Sequence, residues 1–167
     1  MIENNIDITI EISRDSKIKY EYDEKISMLR CDRVFNTSFV YPFNYGFVPN
    51  TLSGDGDPLD VLLLTDYELI PLTVINVRII GILYTYDEAG VDNKLLCVPS
   101  TKVDKNYENI KDIKDLTQTT LDKIKYFYEH YKDNEIGKFV EVKEFGNNED
   151  AYSMYLSCKD NYNKNNE

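Results

Sequence analysis

A single histidine, His130, stands in 167 residues, and its isolation removes several chemistries together. No HExxH pair and no multi-histidine zinc site can be assembled, and no G-x-S-x-G turn offers a serine nucleophile. Cysteine is scarce as well: Cys31, Cys97 and Cys158 are far apart, odd in number and without a CxxC pair. That pattern argues against a disulfide framework or a thiolate zinc site, and for reduced thiols in an intracellular protein. Basic charge is in deficit, with 19 Lys+Arg against 30 Asp+Glu and a formal net charge of -11, which argues against nucleic acid or an anionic membrane as the main partner. No segment approaches the ~20 apolar residues of a membrane span. The start, "MIENNIDITI", has neither a basic n-region nor an uninterrupted apolar h-region. The expectation is a soluble cytoplasmic protein of one domain, residues 1–167, long enough to bury a core without staples. Phosphate-cradling loops are missing too, since there is no GK[ST] and no GxGxxG leading into a helix. If the chain is an enzyme, carboxylates, lysines and tyrosines must carry its chemistry.

What is present begins with strict alternation. In "IDITIEI", Ile6, Ile8, Ile10 and Ile12 share one face, and Asp7, Thr9 and Glu11 share the other, which predicts a half-buried strand. In "KIKYEY", Lys17, Lys19 and Glu21 share a face, so Lys19 and Glu21 point the same way. From Leu29 to Pro49 aromatics crowd among turn residues, and Pro42, Gly46 and Pro49 oppose a long helix. Further strands are expected in "VLLLT", over residues 72–86, in "KLLCV" and around "KFVEV". The period changes over residues 115–133, where Leu121, Ile124, Tyr128 and Tyr131 recur at helical spacing and Gly137 follows as a stop. A second helix is expected around "NNEDAYSMYLSCKDNY", with a loose tail over residues 161–167. Short, locally connected strands with helices gathered late suggest an α+β domain on a small twisted barrel.

The most unusual stretch is "SGDGDPLDVLLLT", which holds Asp55, Asp57 and Asp60 within six residues. A turn needs one or two aspartates, and three carboxylates so close repel one another unless positive charge sits between them. An EF-hand does not account for them: counting from Asp55, the sixth position is Asp60 instead of Gly and the twelfth is Asp66 instead of Glu. A second acidic group, Asp87, Glu88 and Asp92, lies at later strand ends, and hard divalent cations such as Mg²⁺ draw oxygen ligands from separate segments. Lys19 and Lys94 each stand two residues from a carboxylate, Glu21 and Asp92, and Arg33 precedes a tyrosine-rich loop. Carboxylates, cations and phenols together suit a metal-chelated phosphate. Ordinary surface ion pairing explains any one lysine equally well, at ~0–1 kcal/mol per pair. Tyr41, Tyr45 and Tyr131 read equally as core, and His130 as part of the helix surface.

"YPFNYGFVPNTLSGDGDPLDVLLLT" resembles the family I soluble inorganic pyrophosphatases, in which D-G-D-P-x-D-V is highly specific. The resemblance extends through "IEI" at Glu11, "IKYE" at Ile18 to Glu21, Asp32–Arg33, "DEAGVDNK" and "FYEHYKD". It implies a five-stranded OB-like β-barrel flanked by α-helices that hydrolyses inorganic pyrophosphate to two phosphates with several Mg²⁺ ions, as a cytoplasmic homohexamer. Matched motif by motif, it implies that Asp55, Asp60, Asp87, Asp92 and Glu11 bind metal, with Asp60 shared between two ions. Lys19, Arg33, Tyr45, Lys94, Tyr131 and Lys132 would hold phosphate oxygens. Asp57 would be the general base for the attacking water, with Glu21, Glu88 and Tyr41 in support. The chain departs from its relatives at Ser13, where proline is common, and at Val91, where an acid is common; neither removes a mapped ligand. Two other readings stand beside this one, a metal-dependent phosphohydrolase acting on nucleotides or polyphosphate and a non-catalytic metal-binding barrel module.

Overall fold

The computed structural model describes residues 5–166; residues 1–4 and 167, which fall within the expected domain and tail, lie outside it. Among the described residues the chain forms strands β1 (Asn5–Ile12), β2 (Ile18–Asp23), β3 (Met28–Val34), β4 (Asn44–Phe47), β5 (Asp60–Leu63), β6 (Val74–Asp87), β7 (Gly90–Val91) and β8 (Lys94–Pro99). Helix α1 (Gln118–His130), strand β9 (Val140–Gly146) and helix α2 (Asn148–Asn165) follow. Strand β1 pairs with β4, β4 with β5, β5 with β8, β8 with β6, and β6 returns to β1, closing a ring of five strands. This is the five-stranded barrel with flanking helices that the sequence led us to expect. Only the β5–β8 pairing within the ring is parallel.

Alternation became burial as elementary strand geometry requires. Ile8, Ile10 and Ile12 are fully buried, while Asp7, just before them, is exposed and Glu11, between Ile10 and Ile12, is half-buried. The unbroken apolar runs of β5 and β8 bury both faces. Val61, Leu63, Leu95 and Cys97 join a core that includes Ala151 and Cys158 of α2. Leu62, Leu96 and Val98 join a second core with Ile124, Phe127 and Tyr128 of α1. Gly46 is demanded by the closing of the ring, because a Cβ there would stand 2.0 Å from the Thr9 carbonyl oxygen on the paired strand.

Boundaries differ from expectation where side chains cap or turn the backbone. Helix α1 starts at Gln118 because the Thr117 hydroxyl accepts from the Thr120 N–H at 3.2 Å, and residues 113–115 form a separate 3₁₀ turn. Strand β6 starts at Val74, after a turn in which Leu72 takes φ 71°. The loose tail expected from residue 161 is corrected in part: α2 remains helical through Asn165, with a Lys164–Asp160 ion pair across one turn at 2.7 Å. Burial nevertheless ends at Cys158, leaving this last stretch with little packing.

Candidate active site

Strand pairing gathers the singled-out residues. The parallel register of β5 on β8 sets Asp60 opposite Lys94, and the β2–β3 hairpin sets Lys19 opposite Arg33. The end of α1 delivers Tyr131 and Lys132, and the tight β6–β7 turn fixes Asp87, whose carboxylate accepts from the Ala89 N–H at 2.8 Å. Around one cavity of about 570 Å³ stand Glu11, Lys19, Glu21, Tyr41, Tyr45, Asp55, Asp57, Asp60, Asp87, Asp92, Lys94, Tyr131 and Lys132.

Two expected members do not line it. Glu88 turns to the Phe139 N–H at 3.4 Å and to Lys132 at 3.5 Å. Arg33 forms an ion pair with Glu135 and stands 3.3 Å from Asp32, so its charge is directed toward the segment following α1. His130 pairs with Asp133 at 2.8 Å on the helix surface and takes no part in the cavity.

The aspartate turn divides its carboxylates. The Asp57 N–H donates to Asp55 Oδ1 at 3.1 Å, the Ser53 N–H donates to the Asp57 carbonyl at 2.7 Å, and Gly56 between them takes φ 92°. That positive φ is glycine territory, and Pro58 stiffens the next step. Asp60 points inward from β5 and is half-buried, while Asp57 stays exposed at the rim. Burial raises the pKa of Asp57, and the charges of Asp60 and Glu21 raise it further.

Lys94 is the buried centre. Its ammonium donates to Asp60 Oδ2 at 2.8 Å and to the Tyr45 hydroxyl at 3.3 Å, and it stands 2.8 Å from Asp92 Oδ2. Three acceptors exhaust the three N–H groups of a lysine. Burial raises the Asp92 carboxyl, and neighbouring Asp60 adds to this against the pull of Lys94. Asp60 is lowered: burial opposes its charge, but Lys94 and hydrogen bonds from Asp92, Lys94 and Tyr45 outweigh burial. Glu11 is raised to about 7, chiefly by burial, although the Tyr22 N–H donates to its Oε2 at 2.8 Å. Elsewhere around the cavity Lys132 meets Asp87 Oδ2 at 3.2 Å, and Lys19 meets Glu21 at 2.8 Å and Asp32 at 3.3 Å.

Among the described residues, no three Asp, Glu, His or Cys side chains already converge as a metal cage. Lysine ammonium groups hold the central carboxylates instead. The donor set still fits a hard divalent ion, since nine acidic against five basic side chains line the cavity and carboxylate oxygen is what such ions bind. Asp55, Asp60, Asp87, Asp92 and Glu11 are the residues that could hold one.

Sequence reasoning missed part of the wall. Tyr22, Asp23 and Arg30 line the cavity from the β2–β3 hairpin. So does Tyr128, which periodicity alone assigns to the core face of α1. Its hydroxyl is buried without a hydrogen-bond partner among the described residues, a detail that hydrophobic spacing does not encode.

Comparison with known proteins agrees with this geometry. A family model described as Inorganic pyrophosphatase matches residues 8–163. The inorganic pyrophosphatase of Sulfolobus acidocaldarius is 52% identical over 146 residues, covering 87% of this chain and 84% of the relative. A solved structure of the inorganic pyrophosphatase of Helicobacter pylori superposes with a TM-score of 0.94 at 45% identity, covering 96% of this chain and 95% of that one. The crystal structure of inorganic pyrophosphatase from Thermus thermophilus gives 0.93 at 36% identity, covering 97% and 93%.

Proposed function

The chain belongs to the inorganic pyrophosphatase family, and from that premise we propose that it hydrolyses inorganic pyrophosphate to two phosphates with the help of Mg²⁺. The observation that carries the reading is the mixed wall of the cavity, where an excess of carboxylate would repel a pyrophosphate anion unless cations are bound, while lysines and phenols remain to hold phosphate oxygens. Asp55, Asp60, Asp87, Asp92 and Glu11 would hold the metal, with Asp60 most central. Mg²⁺, when bound, supplies positive charge against the phosphate oxygens and acidifies water.

The protein's own groups do the rest. Asp57, exposed at the rim with a raised pKa, takes the proton of the attacking water, a task for which a carboxylate displaced toward neutrality is better suited than an ordinary one. The water oxygen forms the new P–O bond, the bridging P–O bond breaks, and the leaving phosphate keeps the electron pair. Lys19, Tyr45, Tyr131 and Lys132 hold phosphate oxygens and counter the charge gathering on the leaving group. Lys94 would join them where Asp60 and Asp92 hold metal, and Arg33 would join by leaving Glu135. Glu21, Glu88 and Tyr41 act on neighbouring lysines and rings: Glu21 on Lys19, Glu88 on Lys132, and Tyr41 against Tyr45 with ring centroids 5.5 Å apart.

A cytoplasmic homohexamer completes the proposal. No described helix is long and apolar enough to cross a membrane. Exposed Tyr67, Ile70 and Val74 offer apolar surface for subunit contacts. The experiment for the catalytic assignment is Asp57→Asn, assayed for phosphate release with saturating Mg²⁺. We expect kcat to fall by about 10²–10⁴, the range of a positioned general base, with the melting temperature retained; an unaffected kcat would remove Asp57 from that role.

A further inference from the structure

Tyr128 lies on α1 with its side chain 1% exposed, and it lines the cavity between Lys94 and Tyr131. Its ring centroid is 5.7 Å from Lys94 Nζ and 5.7 Å from the Tyr131 ring, which meets it edge-on at 84°. The hydroxyl has no hydrogen-bond partner among the described residues. A buried hydroxyl left unpaired is destabilising, so a phenol stands in a place where phenylalanine would pack as well.

The surroundings indicate what the hydroxyl awaits. It feels the charges of Lys94, Asp60 and Asp92. The Lys94 ammonium has no hydrogen to spare and no lone pair to offer. Asp60 already accepts from Lys94, Tyr45 and Asp92. A leftover donor beside committed acceptors, in a cavity whose basic and phenolic groups suit an anion, is matched by an acceptor that arrives with the ligand. We propose that Tyr128 is a further substrate-binding residue, whose hydroxyl donates to a phosphate oxygen seated beside Lys94. This rests on the pyrophosphate reading. The same bond serves a phosphoryl group of the substrate or the product phosphate, and separate binding arms distinguish the two.

The test is Tyr128→Phe, which keeps the ring and removes one oxygen. Binding is measured by calorimetry with Mg²⁺ and either imidodiphosphate, a non-hydrolysed stand-in for the substrate, or inorganic phosphate. Melting is followed separately in ligand-free protein with chelator. A hydrogen bond to a charged oxygen is worth about 1.5–3 kcal/mol, so imidodiphosphate should bind at least about tenfold more weakly. KM for pyrophosphate should rise likewise while kcat changes little, the mark of a bond made equally before and during reaction. Loss of phosphate affinity in parallel assigns the contact to the phosphoryl subsite that free phosphate also fills; its retention assigns it to the other phosphoryl subsite. The ligand-free melting temperature should hold or rise, because an unpaired buried hydroxyl is gone. Unchanged affinity for both probes would overturn the proposal, and so would a weaker affinity accompanied by a marked fall in ligand-free melting temperature. If the wild type binds imidodiphosphate but releases no phosphate from pyrophosphate, the hydrolytic reading fails while the Tyr128 contact is still tested by binding.

Discussion

Lys94 shows how a single residue is read differently once its neighbours are known. In sequence it is a lysine two places from an aspartate, for which a surface pair worth little is a fair account. In the structure its side chain is 3% exposed and its ammonium meets both Asp60 and Asp92, supplying the positive charge that offsets the buried Asp60 carboxylate. Lys94→Met should therefore destabilise the metal-free protein by about 3 kcal/mol or more, the usual consequence of orphaning a buried charge. Urea unfolding in chelator reads this directly, and a variant as stable as the wild type would show that the pair carries no such load. Asp57, three places from Asp60 in the chain, behaves otherwise, since it stays at the rim and keeps its carboxylate available.

At the scale of elements, legibility followed the strength of the pattern. Strands β1, β5, β6 and β8 and helix α1 could be read because one or both faces are apolar at a clear period. Strand β3 could not, because most of it is exposed in a two-stranded hairpin and no hydrophobic alternation marks it. Strand β4 is only four residues long among prolines and aromatics. The aspartate turn was legible as a site because its carboxylate density exceeds what a turn needs. The ion pair of Arg33 was not legible, since its partner Glu135 lies 102 positions later in the chain and only the fold brings them together. Tyr128 escaped because the α1 spacing gives its ring a reason to be buried and says nothing about the hydroxyl. Closure of the ring makes its own prediction. Gly46→Ala drives a methyl into the Thr9 carbonyl, against backbone atoms of Thr9 and Ile10 rather than a flexible side chain. Overpacking of this kind costs about 1–3 kcal/mol and occasionally more, so Gly46→Ala should lower the urea midpoint clearly, whereas an unchanged midpoint would mean that β1 and β4 can separate at no cost.

For the whole molecule, the feature that organises the rest is charge. A formal net charge of -11 and a cavity with more acids than bases describe a protein ill suited, by itself, to attract a multiply charged anion. Fold, family and cavity chemistry are reconciled if divalent cations complete the site, with lysines holding the carboxylates apart until then. The same account separates this chain from a nucleotide hydrolase, because no base- or ribose-reading surface is needed when two phosphoryl groups are the entire substrate. The most direct measurement is phosphate release by the wild type from pyrophosphate, with ATP and tripolyphosphate in parallel, each with Mg²⁺ and with excess chelator. The account predicts rapid release from pyrophosphate only when Mg²⁺ is present, and far slower release from the other two. Release that survives chelation, or that favours ATP or tripolyphosphate, would contradict it.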